Sequence, residues 1–367
     1  MTIPGAPERV PLADTLWKAN WADSRTHYLD WWARRGLVIS MWEHLEKEGA
    51  PYADVKCPVP ARDWDQFWFY PEWRAANLHY HLSRSSFKAD IPPVANTHLG
   101  PGSLAAILGS TLEGSQDTIW IHQRPEQSDE ILLDENNRWW QLHLKLVRAC
   151  KRLSQGHYFV GCPDLIEGLD TLASLRGTQP VLMDMIDRPE ELTRQLQAVN
   201  DIWFEVFERI YREINVDGEM AFCYFSLWAP GRMAKLQSDI SLMISPKSFR
   251  RFVQPFIREQ CQKLDYSLYH LDGVDAVRHL DALLEIKELN AIQWTPGVGQ
   301  PQGGDPSWYS LYKRIRAAGK SIMPCWVEVN ELKPLLDAVG PEGVNVLMRF
   351  ESERDIDAAT EIASHYR

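Results

Sequence analysis

Short apolar runs separated by amphipathic stretches make up most of this 367-residue chain. Eight of these runs are continuous rather than alternating, which is typical of strands that are buried on both faces. They predict strands at 36–42, 89–94, 158–162, 218–225, 266–271, 290–294, 320–326 and 344–350. The second strand has the poorest pattern, because Pro92 and Pro93 cannot donate ladder hydrogen bonds.

Amphipathic segments between these runs predict helices. Pro189 opens one of them, with Glu190 and Glu191 in its first turn, which suits the helix dipole. Another begins at Ser245-Pro246, a side-chain cap followed by proline at the first helical position. The predicted helices are 135–155, 189–214, 245–264, 273–287, 306–318, 329–338 and 353–364.

The alternation of strands and helices indicates parallel pairing. Eight such units predict an α/β fold, a single closed (β/α)₈ barrel of the TIM type that spans 1–367. We expect a helical extension over 1–35 to pack on this barrel, and the long gap between 94 and 158 to hold an insertion. Eight of the sixteen tryptophans lie between Trp17 and Trp73. They suit either packing of the extension or an aromatic wall over an organic substrate.

Composition excludes several classes of protein. The net charge of −11 disfavours nucleic acid and an anionic membrane surface as partners. No apolar run reaches the ~18 residues of a membrane span, and Met1 to Asp14 lacks the apolar core of a secretory signal. The six cysteines contain no CxxC pair, which indicates reduced thiols. Together these features predict a cytoplasmic protein.

Polar and aromatic residues follow the predicted strands at their C-terminal ends, which meet at one mouth in a barrel. Asp239, His270 and Asp272 are predicted to be catalytic. The residues expected to bind a substrate are Tyr224, Trp228, Arg232, Gln293, Trp294, Trp326, Glu328 and Arg349. Such a set suits binding of a polar organic molecule, proton transfer or a metal. The role of Arg232 stays open between a carboxylate clamp and a surface salt bridge.

His270 and Asp272 lie two residues apart on an extended segment and therefore face the same side. They suit a divalent metal such as zinc, with Glu351 as a third ligand or Cys325 in its place. The alternative is structural: His270 donates a hydrogen bond inside the barrel, and Asp272 shapes the turn before Gly273.

Several segments carry a family resemblance. They are Asp239 with Ile244-Ser245-Pro246-Lys247-Ser248-Phe249 and Val253-Gln254-Pro255, the strand Tyr269-His270-Leu271-Asp272-Gly273, the central Leu175-Arg176-Gly177, Asp184 and Arg188-Pro189-Glu190, the early Gly100-Pro101-Gly102 with Gly109, and the late Ser352-Glu353. In these segments the chain resembles the uroporphyrinogen decarboxylase superfamily. That superfamily includes the methylcobalamin:coenzyme M methyltransferases and, more distantly, cobalamin-independent methionine synthase. The resemblance implies the (β/α)₈ barrel and covers most of the chain, with the Trp-rich N-terminal part matching least.

Two departures separate this chain from the better-known members. It has no segment like the "MRQAGRY" of true uroporphyrinogen decarboxylases, so porphyrinogen decarboxylation is disfavoured. The zinc methyltransferases of the superfamily use a His-x-Cys and a second cysteine after the last strand. Here these cysteine positions hold Asp272 and either Phe350 or Glu351, which favours a harder metal chemistry than thiol activation.

The resemblance therefore implies three functions. The first is an enzyme for methyl transfer or demethylation of a small organic substrate, with a corrinoid carried by a partner protein and with a divalent metal. The second is a metal-independent decarboxylase or lyase acting on a small carboxylate. The third is a non-catalytic barrel that binds a ligand or a partner. The oligomeric state stays open, a homodimer included.

Overall fold

The computed structural model describes residues 15–100, 102–124 and 130–367. The predicted N-terminal segment 1–14 and Pro101 of the Gly-Pro-Gly motif lie outside the described residues. Within these ranges, no helix is both long enough and apolar enough to cross a membrane. One hydrophobic core runs from the first described helix to the last. The assignment of the chain to a single domain stays a prediction.

The described chain forms helices and strands in alternation. The strands are β1 Leu37–Met41, β2 Val94–Ala95, β3 Thr111–Gly114, β4 Ile119–His122, β5 Phe159–Cys162, β6 Met220–Phe222, β7 Leu227–Ala229, β8 Met233–Leu236, β9 Tyr266–Asp272, β10 Ala291–Thr295, β11 Ser321–Val327 and β12 Val344–Met348. The helices are α1 Trp21–Trp32, α2 Trp64–Phe69, α3 Pro71–Leu82, α4 Ser103–Ile107, α5 Arg138–Ser154, α6 Gly168–Arg176, α7 Thr178–Asp187, α8 Pro189–Ile214, α9 Pro246–Phe252, α10 Gln254–Lys263, α11 Leu280–Leu284, α12 Tyr309–Ala317, α13 Val329–Val339 and α14 Glu353–Ser364.

The strands pair mostly in parallel, as the alternation predicts. Six of them form a parallel sheet in the order β1-β12-β11-β10-β9-β8. A second sheet has the order β2-β5-β6-β7, with only β7 antiparallel, and β3 and β4 form a hairpin. In the described chain no ladder joins the two larger sheets. The structure thus shows a mixed α/β fold with mostly parallel strands, and the closed barrel stays a prediction.

Two strand predictions need correction, and one strand was not predicted. The predicted strand 89–94 is wrong apart from its last residue, because the prolines delay pairing until Val94. The predicted strand 218–225 ends at Phe222, and the chain then turns back as β7. The sequence analysis missed β8, which pairs with β9 in the six-stranded sheet. Lys235 lies inside this short strand and hides its apolar pattern.

Two predicted helices are interrupted. The Ser245 cap is confirmed, since its hydroxyl accepts a hydrogen bond of 3.1 Å from the Ser248 backbone amide. The helix nevertheless breaks at Val253 into α9 and α10, because Pro255 has no amide hydrogen and disfavours helical geometry in the residues before it. The predicted helix 273–287 is a 3₁₀ turn, Val274–His279, followed by the short α11.

The tryptophans of α1 pack the N-terminal segment onto the sheets. Trp31 is fully buried and its indole nitrogen donates to the Ile322 carbonyl at 3.2 Å. Trp32 donates in the same way to the Trp228 carbonyl at 3.0 Å. For Trp31 and Trp32 the structure therefore shows packing of the N-terminal segment and not an aromatic wall.

Gly303 provides a test of how tightly the loop after β10 packs on β11. A Cβ atom at this position would lie 2.4 Å from the Cys325 carbonyl oxygen and 2.7 Å from its nitrogen. Both are backbone atoms of the sheet and cannot move aside easily. We expect Gly303→Ala to lower the free energy of unfolding by about 2–3 kcal/mol, measured by urea denaturation.

Gly299 supplies the matched control. It lies in the same loop with a φ of +79° and no atom within 4 Å of an added Cβ. Alanine there meets only backbone strain, so Gly299→Ala should cost about 1 kcal/mol. Equal losses for the two variants would contradict the close approach at Gly303.

Candidate functional site

A cavity of about 740 Å³ opens at the C-terminal ends of β1, β2 and β6. Its lining mixes aromatic rings with polar side chains, among them Trp42, His44, His81, Asn96, His98 and Tyr224. A cavity of this size and composition suits a small organic ligand that is oriented by a few polar contacts. Trp42 lines this cavity, whereas the tryptophans of α1 are packing residues, and a role of Trp42 as a wall over a substrate stays a prediction.

Two histidines of this cavity stay uncharged at neutral pH. Burial lowers the pKa of His98 to about 3 and the pKa of His44 to about 4. Behind them, the buried Arg74 guanidinium donates to the carbonyl oxygens of Asn96, at 3.2 Å, and of His98. Burial lowers the pKa of Arg74 to about 10, so this group keeps its positive charge.

Tyr224 forms the wall between this cavity and a second polar region. Its ring lies 4.6 Å from the Trp42 ring and 6.4 Å from the His270 ring. The next two residues, Phe225 and Ser226, have left-handed backbones with φ of +63° and +45°. The Ser226 hydroxyl donates to the Trp42 carbonyl at 3.1 Å. Such sparsely populated backbone conformations concentrate at functional sites.

His270 is held as a neutral imidazole with one free nitrogen. The Gln293 amide nitrogen donates to the Thr295 hydroxyl at 2.9 Å, which leaves the Gln293 oxygen to accept from His270 Nδ1. The proton therefore resides on Nδ1, and the Nε2 lone pair is free. Burial and the Lys235 charge lower the pKa of His270 to about 3. At neutral pH His270 thus offers an uncharged Nε2 to a metal or a hydrogen-bond donor, and its low pKa makes it a weak base.

Lys235 is the centre of a buried polar network that the sequence analysis missed. Its ammonium lies 2.6 Å from Asp164 Oδ2, contacts Gln237 Oε1, and sits 4.6 Å from the centroid of the Tyr224 ring. The Gln237 side-chain amide donates to Asp239 Oδ2 at 3.0 Å, and its backbone amide donates to Glu167 Oε1 at 2.9 Å.

Asp170 completes this network. Its two carboxylate oxygens accept from the backbone amides of Asp239, at 2.7 Å, and of Ile240, at 2.8 Å. Burial raises the pKa of Asp164 and of Glu167, and burial together with the Asp239 charge raises the pKa of Asp170 to about 7. Because one ammonium faces four carboxyl groups, part of the network is protonated at neutral pH.

The structure brings part of the predicted site together. Tyr224, Asp239, His270 and Gln293 all lie around this network, and Asp272 Oδ2 is 3.9 Å from His270 Nε2. Burial and the Asp239 charge raise the pKa of Asp272. These five predicted residues therefore lie together, as expected for polar residues at strand ends that share one mouth.

The structure places three predicted substrate contacts away from this cluster. Trp228 is fully buried and packs edge-on against Trp21, away from the mouth. Arg232 precedes β8 and pairs with Glu208 at 3.0 Å, so the surface salt bridge is the right interpretation. Trp294 is buried, with its ring 5.1 Å from that of Trp308.

Two of the three remaining predicted contacts line a second cavity of about 440 Å³. It is lined by Trp326 and Arg349, and it shares Trp42 and Glu43 with the first cavity. Glu328 reaches Arg349 only at 4.0 Å. These residues therefore stand apart from His270 and its network.

A metal site with three protein ligands is not assembled. No group of three His, Cys, Asp or Glu side chains suited to a metal occurs in the part of the chain that the structure describes. Glu351 is exposed, and its backbone amide donates to Asp355. Cys325 is buried, and burial raises the pKa of its thiol. His270 and Asp272 alone do not make a zinc site, and metal dependence stays a prediction.

The missed residues had a weak signal in the sequence. Asp164, Glu167 and Asp170 follow β5 at spacings of three, and Lys235 and Gln237 alternate along β8. Acidic residues spaced by three after a buried strand are also typical of an ordinary helix start. Only the three-dimensional structure shows that these acidic residues face Lys235.

Comparison with known proteins supports the fold. No protein-family model matches the chain, and no curated protein matches it. Among solved structures, the chain is similar to a methyltransferase from Methanosarcina mazei, with a TM-score of 0.57 and 10% sequence identity. The match covers 92% of this chain and 98% of that chain. At this identity the similarity shows a shared fold and no more.

Proposed function

We propose that this chain is an enzyme that transfers a methyl group to or from a small organic substrate held in the 740 Å³ cavity. One observation carries the proposal: Tyr224 walls that cavity and has both His270 and the Lys235 network behind it. The methyltransferase with the same fold supports the choice of reaction. The membership of the uroporphyrinogen decarboxylase superfamily is part of this proposal, and so is a barrel closed around the shared core.

The network suits the charge that demethylation creates. When a methyl group leaves an oxygen, nitrogen or sulfur atom X, the bonding electron pair stays on X, and X then takes up a proton. The Lys235 ammonium and the protonated carboxyl groups beside it lie behind Tyr224, so they supply positive charge and protons to the cavity through Tyr224. Burial raises the pKa of Tyr224, so its phenol keeps its proton and can donate a hydrogen bond to X.

An exposed apolar rim supports a partner that carries the methyl group. Met243 is 66% exposed and Val298 is fully exposed, and Leu242 and Val274 are also exposed. These residues lie on the loops that follow β8, β9 and β10, beside Asp239 and Asp272. Clustered apolar side chains at the edge of a site are typical of a docking surface. We propose that a corrinoid-bearing protein docks here, and no step of this proposal requires a metal bound by this chain itself.

The reaction is tested with purified protein and free cob(I)alamin as methyl acceptor. Methyl ethers, methylamines and methyl thioethers serve as donors, and absorbance follows methylation of the cobalt. We expect turnover of at least one donor class, and we expect His270→Gln to lower its rate roughly a hundredfold, as loss of a positioned catalytic group does.

His365→Gln is the matched control, because His365 lies exposed at the end of the chain and should leave the rate unchanged. An unchanged rate in His270→Gln would contradict the assignment of His270. Release of carbon dioxide from an added small carboxylate, without methyl transfer from any donor, would establish the decarboxylase alternative. Ligand binding without any turnover would establish the non-catalytic one.

A further inference from the structure

The second cavity has an apolar floor and a charged rim. Met41, Met348 and Phe350 are buried and form the floor, at the C-terminal ends of β1 and β12. Trp326 stands at the side, and Arg349 lies at the rim. The volume of about 440 Å³ is ample for a small organic molecule. Tyr224, which separates the larger cavity from His270 and the Lys235 network, does not line this cavity, so the proposed reaction does not explain it.

Trp326 is directed to this place by an irregular backbone. The pairing of β11 with β12 shifts in register between Cys325 and Val327, which is a β-bulge. The bulged residue, Trp326, has a left-handed φ of +62°. Bulges near sites turn a side chain away from the regular alternation of the strand. A rarely populated backbone that places an indole in a cavity indicates a binding role.

The glycine-rich loop after β10 builds the opposite side. The Gly303 amide donates to the Cys325 carbonyl at 2.9 Å, and the Tyr312 hydroxyl donates to the Gly303 carbonyl at 2.6 Å. The absence of a side chain at Gly303 permits this approach to the strand. This anchored loop places the exposed side chain of Gln302 at the cavity. This loop contains no phosphate-binding motif, and its role in the structure is to form one side of the cavity.

Arg349 has a guanidinium with no committed partner among the described residues. Its backbone amide donates to the Val327 carbonyl at 2.9 Å, which fixes the residue at the rim. The side chain is 59% exposed, and its closest carboxylate, that of Glu328, lies 4.0 Å away. Glu328 is itself engaged in the capping box of α13. The N–H groups of the Arg349 guanidinium are therefore available to donate two parallel hydrogen bonds to a carboxylate.

We propose that this cavity binds a small aromatic carboxylate. The two methionine thioethers and the Trp326 indole favour an aromatic ring, because sulfur and indole both contact ring edges and faces well. The carboxylate pairs with Arg349, and the Gln302 amide lies on the same rim. Glu43 lies on the partition shared with the larger cavity, so it repels an anion and keeps the charged end at the rim.

Binding is measured by titration calorimetry with benzoate as the probe and benzamide as its neutral counterpart. We expect benzoate to bind at least tenfold more tightly than benzamide. Arg349→Met should weaken benzoate at least tenfold and remove this preference. Glu43→Gln should tighten benzoate binding, since it removes the opposing charge. Because no methyl donor is present, the result is independent of the proposed reaction.

Variants at residues inside and outside the smaller cavity show where benzoate binds. Arg354→Met removes an exposed arginine of α14 that does not line the cavity, and it should leave benzoate binding unchanged. Gln302→Trp should block the smaller cavity, and Leu78→Trp, in the larger cavity only, should not. Equal affinity for benzoate and benzamide, weaker binding in Glu43→Gln, or loss in Leu78→Trp but not in Gln302→Trp would each overturn the proposal.

Discussion

Lys235→Met is expected to lower the free energy of unfolding by about 3–5 kcal/mol at neutral pH, because it leaves a buried carboxylate without its cation. Lys235 and Asp164 are both almost fully buried, and their charged atoms lie 2.6 Å apart. The second oxygen of Asp164 has no partner among the described residues, so no other group replaces the ammonium. Urea denaturation followed by far-UV circular dichroism measures the loss.

Two comparisons separate this effect from the loss of any lysine. Lys333 pairs with Asp337 on the exposed face of α13, and Lys333→Met should cause no measurable loss, because exposed pairs contribute little. The double variant Lys235→Met with Asp164→Leu should recover most of the stability, since an apolar pair replaces a buried ion pair at little cost. A Lys235→Met protein as stable as the wild type would show that Asp164 is neutral in the native state.

The sequence predicts most of the parallel strands because these are continuous apolar runs. It fails at β8 for a physical reason: a lysine inside a four-residue strand is usually taken for an exposed residue. Only tertiary packing shows that Lys235 is buried against Asp164 from another strand end. The buried network could not be found without β8, because three of its residues lie on or just after that strand.

The missed strand also explains why part of the site was misplaced. Trp228 and Arg232 were taken to follow a strand that ends at the mouth, but β7 turns back and both residues precede β8. Arg232 therefore lies at the N-terminal end of β8, and Trp228 lies within β7 of the other sheet. His270 and Gln293 were predicted correctly as neighbours, since their strands pair directly and in register. A site predicted from the C-terminal ends of strands is thus only as reliable as the predicted strand boundaries.

The free energy of unfolding is expected to fall as the pH rises from about 5 to about 7, and one carboxyl group that keeps its proton can contribute at most about 3 kcal/mol to this fall. Burial raises the pKa of Glu167 well above its usual range, and burial with the Asp239 charge raises that of Asp170 to about 7. The native state therefore keeps protons that the unfolded chain releases above its ordinary carboxyl pKa. Their contribution to stability is full below that value and is lost as the pH rises towards the native pKa.

Glu167→Gln isolates this contribution, because glutamine has the shape of the protonated acid. Glu167 Oε1 accepts from the Gln237 amide, a bond that glutamine keeps, and Oε2 has no partner among the described residues. We expect the variant to be closest to the wild type at about pH 5 and to become more stable than it towards about pH 7, by at most about 3 kcal/mol for a single proton. Glu361→Gln, at an exposed position of α14, should instead follow the wild-type curve. Parallel curves for Glu167→Gln and the wild type would mean that Glu167 is already ionised in the native protein, and the proton supply proposed for the site would then rest on Asp170 alone.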